Sequence, residues 1–109
     1  MDFNEYQKQA WKTAIYPNKG NNIFYPALGL GGECGEVLEK IKKIMRDNEG
    51  EISEKKKEEL MKEMGDVFWY LAALATELNL NLNEIAEKNI SKLNSRKERD
   101  ILHGEGDNR

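Results

Sequence analysis

Apolar residues recur along the chain at three- and four-residue intervals, broken by short polar stretches, and this pattern predicts helices. In the first, from about Asn4 to Tyr16, Tyr6, Ala10, Trp11 and Ala14 fall at helical spacing, and Pro17 ends it. Asn18 to Asn22 reads as a loop by composition. Pro26 suits the first turn of a second helix running to about Asp47, where Asn48-Glu49-Gly50 breaks the pattern. Ser53 is placed to cap a third helix reaching about Leu78. Asn83 can cap a fourth to about Arg99, with Leu82 as its hydrophobic staple. The tail from about residue 100, closing on His103-Gly-Glu-Gly-Asp-Asn-Arg109, is polar and glycine-rich, hence loop or disorder. With neither an internal repeat nor a domain boundary, residues 1–109 read as one all-α domain. From Val67 to Ala75 the third helix is apolar almost all round. Three short helices can hardly cover it, so self-association is expected.

Two acid pairs stand out against this frame. Glu33 and Glu36 are three apart on the second helix, as are Glu63 and Asp66 on the third. With each pair's first Glu set to zero on its helical wheel, Leu30, Val37, Ile41 and Ile44 fall at about +20° to +80°, and Glu36 at about −60°. Leu60, Val67, Leu71, Leu74 and Leu78 occupy the same window on the third helix, with Asp66 at about −60°. Each helix therefore carries a Glu at the rim of its apolar stripe and a second acid beside it. The pairs centre between Cys34 and Gly35 and between Met64 and Gly65, so their midpoint falls at the Glu49-Gly50 break. Folded back antiparallel, the helices bring the four carboxylates level. Such a group repels itself unless a cation neutralises it, and all-oxygen ligation suits Mg2+ or Mn2+ rather than zinc. The bland alternative is that the pairs are solvated helix faces, common in a chain with 20 acids.

Other features refine that picture. Gly29, Gly31, Gly32 and Gly35 each weaken a helix by up to about 1 kcal/mol against Ala, which implies close approach by a neighbouring helix or a ligand. On the fourth helix Asn89, Lys92 and Arg96 share an arc beside Ile85 and Leu93, while Lys40 and Lys43 lie on the acid side of the second. Carboxylates with nearby Lys and Arg donors suit a Mg2+-bridged polyphosphate; the alternative is that these bases pair with Glu84, Glu87 or Glu98.

Charged residues make up 34% of the 109 and hydrophobic ones 39%, with a net charge of −3. That balance argues against a nucleic-acid binder, which needs a basic surface. One cysteine, Cys34, excludes an internal disulfide, and it falls on the apolar side of its helix in a packing role. No apolar run reaches the roughly 18 residues of a membrane span and the N-terminus does not read as a signal peptide, so a soluble cytoplasmic protein is expected. Phosphate-loop, zinc-protease and nucleophile-elbow motifs are absent, and His103 sits in the tail, away from any nucleophile pair.

The residues resemble the MazG-like all-α nucleoside triphosphate pyrophosphohydrolases. The metal motif of that family, Glu-Glu-x-x-Glu, a spacer and Glu-x-x-Asp, appears here as Gly32-Glu33-Cys34-Gly35-Glu36 and Glu63-Met64-Gly65-Asp66, with 26 residues between Glu36 and Glu63. Gly29-Leu30-Gly31 before the first half, Val67-Phe68-Trp69-Tyr70-Leu71 after the second, and Asn89-x-x-Lys92-Leu93-x-x-Arg96 extend the likeness. Thr13-Ala14-Ile15-Tyr16-Pro17 and the closing Gly-Glu-Gly-Asp-Asn-Arg resemble the short stand-alone branch. Gly32 stands where the longer motif has its first Glu, leaving four acids rather than five.

The resemblance implies a four-helix-bundle core completed by association into a dimer or dimer of dimers, and Mg2+-dependent cleavage of (d)NTPs to monophosphate and pyrophosphate, often to clear unwanted nucleotides. It implies Glu33, Glu36, Glu63 and Asp66 as metal ligands, Lys92, Arg96 and Asn89 near the phosphates, and Tyr70 against the nucleoside. Glu33 or Glu36 would orient or deprotonate the attacking water, and Lys43 is a further phosphate contact. Trp11, Phe24, Trp69 and Tyr70 are candidates for base selection, although such aromatics also serve as core. A non-enzymatic helical interaction module and hydrolysis of phosphoribosyl-ATP are the competing readings.

Overall fold

Asp2 caps the first helix, its carboxylate accepting the Glu5 amide at 2.8 Å. The computed structural model describes residues 1–109, with helices α1 (Phe3–Lys12), α2 (Phe24–Asp47), α3 (Glu54–Glu77) and α4 (Leu82–Glu98) and no strand. The expected all-α class holds. Helix α1 ends a turn earlier than its apolar spacing implies. Pro17 disfavours helix at the residue before it, and Ala14 and Tyr16 are instead drawn into a core cluster with Ala73. Ser53 caps α3 as expected, accepting the Lys56 amide at 3.1 Å. The cap of α4 is Asn81 rather than Asn83, which shifts Leu82 from staple to buried first helical residue. The decisive partner is Gln7 of α1. It accepts the Leu82 amide at 2.9 Å and donates to the Leu80 carbonyl at 2.8 Å, holding the α3–α4 turn.

Helices α2 and α3 form the principal contact, joined through Glu49 (φ 54°) and Gly50 (φ 83°). Gly29 meets Tyr70, Glu33 meets Asp66 and Lys40 meets Glu63, so one helix descends as the other rises and the pair is antiparallel. Helix α1 lies on α3 and α4, its Ala10 joining Ala72, Ala75 and Leu82 in the central cluster. Small side chains at this seam let the helices approach closely. Trp69 fills the edge and donates to Thr13 Oγ1 at 2.7 Å.

The resulting shape is open. Only ten of 109 residues are buried, and the radius of gyration is 16.8 Å where a compact chain of this length gives about 13 Å. Exposed surface reaches 8241 Å², against about 6,200 Å² for a compact monomer of this mass. Cys34 is exposed rather than packed, and a Cβ at Gly31, Gly32 or Gly35 would meet nothing within 4 Å. Of the four glycines, only Gly29 is required by a neighbour within the chain.

The connection from α1 to α2 hangs on Glu77, at the end of α3. Its carboxylate accepts the Tyr16 hydroxyl, the Gly20 amide at 3.0 Å and the Asn22 amide at 3.1 Å. Burial pushes this carboxyl up, but the three hydrogen bonds outweigh it and leave it below the ordinary glutamate range, while burial and Glu77 drive the Tyr16 hydroxyl up. A depressed carboxyl stabilises the fold fully above its unfolded value and loses that contribution as pH falls through the folded value. Glu77→Gln should therefore cost about 2 kcal/mol near neutral pH, measured by urea unfolding, and the gap to wild type should narrow below about pH 4.

Candidate active site

The α2–α3 register places one carboxylate oxygen each of Glu33, Glu63 and Asp66 within 4.8 Å of one another. Oxygens around an octahedral Mg2+ stand about 3.0 Å apart in cis and about 4.2 Å in trans, given ligand distances near 2.1 Å. At no more than 4.8 Å apart, the three oxygens stand close to that spacing. Burial pushes the Glu33 carboxyl up, and Asp66, Glu63 and Glu36 push it further in the same direction. This group of negative charges is therefore short of a neutralising partner. Lys40 supplies part of one, with its Nζ 3.7 Å from Glu63.

Glu36 lies outside the trio. It is exposed, acts on Glu33 through its charge, and lines a cleft of about 310 Å³ between α2 and α3 that also holds Lys40, Lys43 and Lys56. Lys43 is turned to Glu39, with 3.7 Å between the charged groups, so Lys40 is the lysine nearest the trio. Lys43 stands nearly one turn further from the acids along α2.

Tyr70 stands one turn beyond Asp66 with its ring over Gly29, where an added Cβ would fall 2.1 Å from the ring. Burial raises its hydroxyl, and Tyr25, Glu33 and Asp66 add to the shift. Tyr25 stacks on Tyr16 with centroids 4.7 Å apart and approaches Tyr70 at 6.3 Å, forming an aromatic wall beside the acids. Tyr6 reaches the other side: burial raises its hydroxyl and Asp66 raises it further. Neither Tyr6 nor Tyr25 belongs to the acid motifs: Tyr6 lies on α1, and Tyr25 about two turns before Glu33 at the start of α2. Phe24 points largely to solvent, whereas Trp11 and Trp69 pack around the small-residue core.

The bases of α4 are elsewhere. Lys92 and Arg96 pair with Asp107 of the C-terminal loop, at 3.0 and 3.3 Å, and hold its carboxyl below the ordinary range. Asn89 is exposed beside Lys92. Helix α4 packs on α1, and these three residues do not join the acid trio of their own chain.

Residues 27–100 match the family model of the MazG nucleotide pyrophosphohydrolase domain, a span that contains all four acids and the α4 bases. The chain belongs to the MazG nucleotide pyrophosphohydrolase family. A full-length relative, the Gene 37 protein of Mycobacterium phage L5, is 43% identical over 114 aligned positions that cover all of both chains. No solved structure matches the chain. Within this MazG domain no helix is long and apolar enough to cross a membrane.

The acid group has a sign-specific consequence. Without divalent cation, a Glu63→Gln/Asp66→Asn variant should match or exceed the wild type in melting temperature, because like-charge repulsion is relieved. Mg2+ or Mn2+ at about five times its dissociation constant should raise wild-type stability by about 1 kcal/mol and leave the variant unmoved. Thermal melts with and without the ion read both effects.

Proposed function

We propose that this single domain hydrolyses nucleoside triphosphates between the α- and β-phosphates, releasing monophosphate and pyrophosphate, and serves to clear unwanted nucleotides from the cytoplasmic pool. The supporting observation is the convergence of Glu33, Glu63 and Asp66 from two antiparallel helices beside Tyr70. These acids, with Glu36, fit Mg2+ or Mn2+ by their all-oxygen chemistry and their spacing. A metal ion bound there supplies charge for the α-phosphoryl group and acidifies water.

The protein's own part is positioning and proton transfer. Glu36, outside the trio and open to solvent, orients the attacking water and takes its proton; Glu33, whose carboxyl is raised by burial and then by its acidic neighbours, is the alternative base. Tyr70, backed by Tyr25, offers a flat face to the nucleoside. Lys92, Arg96 and Asn89 offset charge on the departing pyrophosphate, with Lys43 at the other end of the acid cleft. Because the α4 bases stand apart from the acids of their own chain, the complete site draws them from a second copy.

Self-association has further support in the exposed apolar face. Leu28, Leu38 and Met45 on α2 and Met61 and Met64 on α3 are all more than half exposed, and the surface beyond the compact expectation, about 2,000 Å² on one chain, exceeds the roughly 800 Å² that each partner of a standard interface buries. Sedimentation at micromolar concentration should give a dimer or dimer of dimers; a monomer mass would refute this assembly.

Pyrophosphate release from a panel of dNTPs and NTPs, with and without Mg2+, tests the activity directly. Release should require the ion and fall by at least about a hundredfold in Glu63→Gln/Asp66→Asn. If no nucleotide is cleaved with any divalent ion, the acid group is structural and an interaction role becomes the leading account.

A further inference from the structure

The last ten residues form a loop built around one carboxylate. Asp100 turns into the left-handed region (φ 57°) as α4 ends, and the Ile101 amide bonds the Arg96 carbonyl at 2.8 Å. Arg109 then closes the loop from within. Its guanidinium donates to the carbonyls of Ile101 at 3.0 Å, Leu102 at 2.7 Å and Gly106 at 2.6 Å. Its side chain lies across Gly104, where a Cβ would stand 2.9 Å from Nε, and Gly106 takes φ 83°. The tail is thus loop, as its glycines imply, but fastened. What it presents to α4 is Asp107. Oδ1 of that residue accepts from Lys92 Nζ at 3.0 Å and Arg96 Nη2 at 3.3 Å, and its carbonyl takes a second bond from Arg96.

The two sides of this contact are unequal. The Asp107 side chain is 82% exposed, whereas that of Arg96 is 6% exposed and its Nε is buried with no partner. A guanidinium offers five donors in a rigid fork. The Asp107 carboxylate engages it at Nη2 alone, leaving a desolvated donor unmet. A tetrahedral oxyanion could serve Lys92 Nζ, Arg96 Nη2 and Arg96 Nε together. Beside Lys92 a cleft of about 380 Å³ runs along α4 past Asn89 and Ile85, with room for the remainder of a phosphorylated molecule.

We propose that in the resting chain Asp107 occupies the place at Lys92 and Arg96 where the nucleotide reading above puts a phosphoryl group, and that the C-terminal loop gives way when a phosphate takes the carboxylate's place. One anion replaces another, so the buried Arg96 charge is never left unpaired. The identity of the substrate rests on the nucleotide reading above; the exchange itself does not.

Inorganic pyrophosphate, titrated without divalent cation at constant ionic strength, is the probe. Hydrogen exchange at the amides of residues 101–109 should rise with pyrophosphate in the wild type. Asp107→Asn, which removes the internal anion, and Arg109→Ala, which unfastens the loop while leaving every α4 residue intact, should each bind pyrophosphate about three- to tenfold more tightly. Lys92→Gln should lose the response. Equal or weaker binding in both loop variants, no binding at all, or a loop whose exchange ignores pyrophosphate would overturn the exchange. A protein that opens its loop to pyrophosphate yet cleaves no nucleotide would defeat the nucleotide reading and leave the oxyanion site standing.

Discussion

Carboxylates held at the rim of a helix–helix seam repel one another, and the α2–α3 hairpin confines them there nonetheless. The apolar stripes of the two helices have to meet, and the turn at Glu49-Gly50 sets the register in which they do. Once that register is set, Glu33, Glu63 and Asp66 have no freedom to separate beyond rotamer changes, and Lys40 alone offsets part of their charge. Burial raises the Glu33 carboxyl, and the neighbouring acids raise it further. A divalent cation bound between these acids would relieve their mutual repulsion.

The remainder of the chain serves that hairpin from one side. Helix α1 covers α3 through alanines, Gln7 holds the α3–α4 turn, and Glu77 gathers the connection that delivers Tyr25 to the aromatic wall. The opposite side of the hairpin is bare, with large apolar side chains and helical glycines that no part of the chain approaches. A chain of 109 residues with so small an interior has little else to draw on for stability. The α4 bases stand apart from this group: the acids lie between α2 and α3 with Lys40 beside them, whereas Arg96 is buried at the far end of α4 and paired with Asp107 of the C-terminal loop. Assembly would therefore complete both the hydrophobic core and the charge balance of the site.

Much of this was legible from residue spacing. Helical periodicity located all four helices, and Ser53 and the Asn48-Glu49-Gly50 break bounded the hairpin; the matched phase of the two acid pairs put four carboxylates level, of which Glu33, Glu63 and Asp66 stand together and Glu36 apart. Each of these depends on contacts a few residues apart or on a symmetric fold-back, which the order of residues encodes directly. The cap of α4 was less legible, because Asn81 and Asn83 are chemically equal and Gln7, more than seventy positions earlier, selects between the turns.

Composition and pattern by themselves determined an all-α chain with an acidic, oxygen-only cluster on one edge of a helical hairpin. Three matters were left to the tertiary structure: the partners that Tyr16 finds, Ala73 and Glu77, beyond the early end of α1; the tyrosines that flank the acids; and the pairing of Lys92 and Arg96 with Asp107. The physical reason is common to all three. Each depends on which of several equivalent polar or aromatic partners a side chain finds once distant segments are packed, and local periodicity carries no information about that choice.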